Sequence, residues 1–242
     1  MVTDIKIKDY QNLKFIWKKS PDLIDIEYKR IIDQDINRLD RFLDCYKEDE
    51  SYYLNMARDI LITYSIYHPE VGYCQGMSDL LSPILETLKD ESISFWCFVN
   101  LMEKKKQNFK IGSKSIENQL SQLLFLLETI NPQLSKYFKD VESLYLCYRW
   151  ILVCFKREFE YQEVKRIWEI LWTDHLSSDY LIFMMYGLLI QFQDEIIDGN
   201  LESFEILSLF NRNSMKFDLK KFLQDSMTAY YMYEDQFDII DF

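Results

Sequence analysis

Gly72-Tyr73-Cys74-Gln75-Gly76-Met77-Ser78-Asp79 is the stretch on which the reading of this 242-residue chain turns. It holds two of the chain's five glycines, four residues apart, around a glutamine that no packing demand requires. Glycine adopts backbone angles that other residues avoid and lets another backbone come close. After His68-Pro69 the stretch reads as a bend that presents an amide side chain; a helix-to-helix corner with an incidental glutamine is the alternative. Upstream, Met56, Ile60, Thr63 and Tyr67, with Ala57, Leu61 and Tyr64 beside them, recur at helical spacing until Pro69 ends the run. Downstream, Leu80 to Leu88 is helical and Asp90 is placed to cap the next helix. The core pattern is helix, bend, helix.

The same pattern fills the rest of the chain. Asp9–Lys19 and Ile26–Leu43 read as amphipathic helices, joined to the next by the acidic stretch Asp44–Glu50. Ser92–Lys105 is apolar on nearly every side and is therefore central. Phe109–Ser113 reads as a loop, Ile116–Ile130 as a helix, and Pro132 starts a short helix running to Lys139. Leu144–Phe155, Gln162–Trp172, Asp179–Gln193, Leu201–Phe210 and Lys216–Tyr233 complete the series. No stretch alternates with the two-residue period of a strand. The expectation is an all-α domain over residues 1–242, of roughly ten to thirteen helices, with a seam near residue 140 between halves 1–140 and 141–242.

Composition narrows the function. Forty acidic against 28 basic residues give a formal net charge of −12, and no Lys/Arg stripe suits nucleic acid. Lys104-Lys105-Lys106 reads as a solvated helix end. Cys45, Cys74, Cys97, Cys147 and Cys154 form no C-x-x-C pair, and with His68 and His175 they assemble no zinc site. No phosphate-binding glycine loop is present, and Gly76-Met77-Ser78-Asp79-Leu80 lacks the second glycine of a nucleophile elbow. Asp174-His175 near Ser177 reads as a helix end followed by a cap. The apolar runs Leu144–Phe155 and Tyr180–Ile190 are too short to span a bilayer. A soluble, cytoplasmic chain is expected, with peripheral recruitment to endomembranes left open.

Upstream of the bend, Ile32, Asp35 and Arg38 are spaced by three and share one side of a helix. Ile32 can anchor that side, Asp35 can orient a neighbour, and Arg38 projects from the last turn. An ordinary ion-paired surface has the same spacing. The combination is more telling: a positioned arginine, then a positioned glutamine 37 residues later.

These two motifs resemble the signatures of the TBC domain, the all-helical catalytic domain of activators of Rab-type small GTPases. Ile32, Asp35 and Arg38 match its I-x-x-D-x-x-R, and Gly72, Tyr73, Gln75, Gly76 and Met77 match its G-Y-x-Q-G-M. Cys147-Tyr148-Arg149-Trp150 through Phe155-Lys156-Arg157-Glu158-Phe159 is similar to its third signature region, and Val164–Trp172 to the helix that follows. The resemblance implies that Arg38 and Gln75 are an arginine finger and a glutamine finger, supplied in trans to a Rab-type GTPase in its GTP-bound state. It implies that Asp35 and Tyr73 support the fingers and that Gly72 and Gly76 let the loop lie close to the nucleotide. GTP and Mg2+ then belong to the partner, and this chain carries no cofactor or metal of its own. Asn37 and Leu39 stand where the family commonly has Pro and Thr, and the opening segment reads as shortened, replaced by Met1–Trp17. A catalytically weak TBC-like binding module, holding a GTPase or adaptor in vesicle trafficking, is the rival reading. An unrelated helical scaffold is a third.

Overall fold

The computed structural model of the protein describes residues 3–49, 51–174 and 176–238; Glu50 and His175, each part of an expectation above, lie outside them. Among the described residues there are thirteen α-helices, four short 3-10 segments and no strand, as an all-α chain requires. Contacts divide the chain into two compact units, Met1–Ser113 and Lys114–Phe242.

The first unit contains α1 (Asp4–Lys19), α2 (Ile26–Asn37), α3 (Tyr52–Tyr67), α4 (Met77–Leu88) and α5 (Glu91–Lys105). Its hub is α3, which packs against each of the other four. Nine of its 16 residues are buried, so little of its surface remains for solvent. Ile60 and Leu61 are 0% exposed, and burial of each contributes roughly 1.5–3 kcal/mol. The all-round apolar pattern of α5 is explained by contacts with α1, α3 and α4. Asp90 caps α5 as its sequence suggests, its carboxylate accepting from Ile93 N at 2.8 Å. At the other end Lys104 and Lys105 lie in the last turn, where a cation complements the helix dipole.

Several helix limits differ from expectation: α4 starts at Met77 before Leu80, α7 (Pro132–Ser135) ends short of Lys139, α13 is Leu219–Asp238, and α1 and α2 differ for visible reasons. α1 starts five residues early because Thr3 caps it, its hydroxyl accepting from Lys6 N. α2 stops at Asn37 instead of continuing to Leu43. Apolar spacing continues past that point, but Asp40 takes a left-handed backbone (φ 34°), which no helix can continue through. Arg41 Nε then donates to Asn37 O at 3.0 Å, satisfying a carbonyl of the last turn.

The second unit contains α6 (Ser115–Ile130), α7 (Pro132–Ser135), α8 (Tyr148–Leu152), α9 (Tyr161–Trp172), α10 (Tyr180–Leu189), α11 (Gln193–Gly199), α12 (Ser203–Asn213) and α13 (Leu219–Asp238). All ten residues of α10 are buried, mainly against α13 and α6. A Cβ built on Gly187 would lie 2.9 Å from both Phe222 O and Ser226 N, so α10 and α13 meet at backbone distance there. The division between units falls at Ser113 and Lys114, and not near residue 140, because α6 packs on α10 and α13. Helical structure also continues past Ile190 to Gly199. That makes a 20-residue run, Tyr180–Gly199, long and apolar enough to cross a membrane by length and composition, against the expectation drawn from Tyr180–Ile190 alone. In the fold 61% of an 18-residue apolar window of this run is buried, its apolar surface being taken up by neighbouring helices.

Leu144–Phe155 is not one helix. A 3-10 segment, Glu142–Cys147, leads into the five residues of α8, and Cys154 and Phe155 then turn left-handed (φ 49° and 60°). Tertiary bonds impose this turn: Trp168 Nε1 donates to Cys154 O at 2.8 Å, and Phe155 packs edge-on to Phe222 at 5.2 Å.

Candidate functional site

The residues singled out by the two motifs meet inside the first unit. Ile32 is 0% exposed and fixes the inner face of α2, with Asp35 one turn further along, 3% exposed. A carboxylate buried to that degree needs partners for both oxygens. Oδ2 accepts from the Tyr73 hydroxyl at 2.6 Å, and Oδ1 accepts from Arg38 Nε at 3.2 Å and Nη2 at 2.6 Å. Asp35 therefore joins the Arg38 segment to the Gln75 bend across 38 residues of sequence. Tyr73 is itself 2% exposed; burial, reinforced by the bond to Asp35 and its charge, pushes its hydroxyl well above the usual tyrosine range. It remains a neutral donor at any physiological pH.

Arg38 lies one residue beyond α2 and not in its last turn, with φ −116°. Its N–H donates to Asp35 O and that of Leu39 to Ile36 O, each at 3.2 Å, so the backbone on both sides is held. The side chain stays 58% exposed while its inner edge contacts Asp35. Leu39, which stands where a threonine was expected, is 5% exposed and contributes to the core instead of offering a local hydrogen bond. Arg41, which the motif reading passed over, organises the loop that follows. Its guanidinium donates to Asn37 O and Tyr46 O and pairs with Asp49 at 3.1 Å.

The bend is built as its glycines suggest. Gly72 has φ 65°, and a Cβ there would lie 2.3 Å from the Tyr28 ring, so this position needs glycine for both backbone and space. Its N–H and that of Val71 both donate to His68 O, at 2.9 and 3.0 Å. Gly76 has φ 101° and starts α4 without a side-chain cap. Between them Gln75 is exposed, and among the described residues no hydrogen bond holds its amide. Beside it, Cys74 Sγ donates to Phe109 O at 3.4 Å, and burial raises its thiol above the ordinary value. Neither Tyr28 nor Phe109 had a local sequence signal, because each contact is long-range. Among the described residues no group of three or more His, Cys, Asp or Glu side chains is arranged to hold a metal ion.

The sequence profile of the Rab-GTPase-TBC domain matches residues 6–197. The chain belongs to that family. Human TBC1 domain family member 17 is 36% identical over 226 residues, covering 90% of this chain and 35% of the relative. The GTPase-activating protein GYP7 of Yarrowia lipolytica is 34% identical over 271 residues, covering 100% and 37%. This TBC chain thus spans about a third of the length of the curated relatives it matches. Among solved structures, the Ypt/Rab-GAP domain of Gyp1p shares the fold, with a TM-score of 0.78 over 96% of this chain and 80% of that one, at 21% identity. Both signature motifs lie within the matched part of the TBC domain, and so does the Arg149–Glu158 ion pair of its second unit.

Proposed function

We propose that this chain accelerates GTP hydrolysis by a Rab-type small GTPase in its GTP-bound state, with Arg38 and Gln75 supplied in trans. One observation supports this above the others: the Asp35 carboxylate joins Tyr73 and Arg38, so an exposed arginine and an exposed glutamine share one buried anchor. Phosphoryl transfer to water asks a protein mainly for positioning and charge stabilisation. Arg38 offers an always-charged planar fork, able to meet two oxygens as negative charge moves toward the leaving group. Leaving Asp35 exchanges one anionic partner for another of higher charge, while Tyr73 still holds the carboxylate. Gln75 contributes an amide that can donate to one atom and accept from another, as orienting an attacking water requires. GTP and Mg2+ are held by the GTPase, and the chain works in the cytoplasm or on the membrane its partner occupies.

The test is single-turnover GTP hydrolysis across a panel of purified Rab proteins, with the parent chain and Arg38→Ala side by side. The expected outcome is acceleration of at least one Rab by the parent and loss of about 10³-fold in the variant. Acceleration of none, by a chain shown to be folded, would leave the binding-module reading in its place.

A further inference from the structure

The Arg38 segment is tied to the Gln75 bend a second time, by residues that neither motif contains. Ser82, 0% exposed, offers two atoms to the loop that follows Arg38. Its hydroxyl donates to Asp40 Oδ2 at 2.5 Å, and its carbonyl accepts from the Tyr46 hydroxyl at 2.9 Å. Tyr46 is also 0% exposed, so its bond to Ser82 is buried, while the bond from Ser82 to Asp40 is part-buried. Ser82 sits in α4, the helix that Gly76 starts immediately after Gln75. A helix rises about 1.5 Å per residue, so the tie lies roughly 9 Å along α4 from the bend.

Asp40 supplies the second half of the argument. It holds a left-handed backbone at φ 34°. Asp and Asn enter this region more readily than other residues with a side chain, and neighbouring bonds hold Asp40 there. The Ser82 hydroxyl holds its carboxylate from the α4 side, and the Leu43 N–H donates to Asp40 O at 2.9 Å from the loop side. Arg38 therefore lies between two ties to the same neighbourhood: Asp35 to Tyr73, two residues before Gln75, and Asp40 with Tyr46 to Ser82, seven residues after it.

We infer that Asp40, Tyr46 and Ser82 are positioning residues that hold the Arg38 segment in register with Gln75 through α4. The inference rests on the proposed finger roles and adds to them a group that touches neither GTPase nor nucleotide. A displacement of about 1 Å at a reacting group can cost 10²-fold in rate, so loosening this tie acts on turnover and not on partner affinity.

The experiment uses the whole chain and a Rab that it accelerates. Ser82→Ala, Tyr46→Phe, Asp40→Ala and Asp40→Asn are measured alone and combined with Arg38→Ala. The rate at saturating activator is expected to fall about 10-fold in the first three, with the half-saturating concentration within about 2-fold. Asp40→Asn retains near-parent activity, because asparagine keeps an acceptor and tolerates the left-handed backbone. With Arg38→Ala present, the same changes cause no further loss, since they act only through that side chain. Amide hydrogen exchange in Ser82→Ala is expected to speed up over residues 38–49 while α3 keeps its protection. Equal losses with and without Arg38, or unchanged exchange over 38–49, would overturn the positioning role yet leave the fingers standing. Acceleration untouched by Arg38→Ala would overturn the reading of the site, and this inference with it.

Discussion

Two arginine–carboxylate pairs, one in each unit, are alike in composition and opposite in construction. In the second unit Arg149 meets Glu158 with Nε on one oxygen at 2.5 Å and Nη2 on the other at 3.0 Å. Glu158 is 1% exposed, its own N–H donates to Phe155 O at 2.9 Å, and its carbonyl accepts from Met215 N at 2.8 Å. The pair joins residues nine positions apart and closes the stretch that contains the left-handed Cys154 and Phe155. In the first unit both Arg38 nitrogens share a single oxygen of Asp35, and Tyr73 holds the other. If Arg149 leaves, no other described side chain bonds the Glu158 carboxylate. If Arg38 leaves, one oxygen of Asp35 keeps its bond to Tyr73. Exposure agrees: 37% of the Arg149 side chain is accessible against 58% of Arg38. One carboxylate depends wholly on its arginine, and the other keeps a second donor without it.

The largest expected effect breaks that contrast most directly. Arg38→Lys should lower GTPase acceleration by about 10³-fold with an unchanged melting temperature, because a point cation cannot reproduce the planar fork. Near-parent activity would remove Arg38 from the site. Gln75→Ala should lose about 10²-fold in turnover and likewise melt as the parent does. A collapse in melting temperature would make Gln75 a structural residue. Arg149→Ala should behave in the reverse way. It leaves a buried carboxylate unpaired and, discounted for the partial exposure of the arginine, should cost about 2 kcal/mol in denaturant unfolding. Its activity per folded molecule should stay within about 3-fold of the parent. A loss of turnover without loss of stability would put Arg149 at the site instead.

The smallest effect concerns Tyr73, the second donor to the Asp35 carboxylate. Tyr73→Phe should cost about 1 kcal/mol by leaving one Asp35 oxygen without its donor. Burial, then the bond to Asp35, raises the hydroxyl of Tyr73 above its ordinary 10.0. A folded value above the unfolded one means that its contribution is complete below about pH 10 and is lost as pH rises beyond it. Melting of the parent should therefore fall more steeply above pH 10 than melting of Tyr73→Phe. Parallel curves would show that Tyr73 is not a buried neutral donor to Asp35.

Much of the site was legible because its residues cluster in two short motifs. Steps of three place Ile32 and Asp35 on one side of α2 and point to Arg38 just past its end, and glycines four apart around Gln75 describe the bend with its left-handed Gly72 and Gly76. The limits of elements were less legible. Apolar spacing through Leu39 and Leu43 points to a longer α2, and a continuous apolar run points to one helix over Leu144–Phe155. Both fail at left-handed residues that are not glycine, Asp40 in one case and Cys154 with Phe155 in the other. Each is fixed by a distant donor, the Ser82 hydroxyl or the Trp168 indole, which no local window contains.

The sequence by itself determined that the chain is helical, where its main bend lies, and which arginine and glutamine stand apart from the packing pattern. Hydrophobic periodicity and backbone preference are local quantities, so they can be read along the chain. Tertiary structure alone decided that Asp35 and Tyr73 share a proton-bearing bond, that Arg38 falls just outside its helix, and that α6 belongs with α10 and α13. Those outcomes depend on which buried polar atoms find partners across dozens of residues. Burial makes such pairing obligatory, and only the folded chain selects the partner.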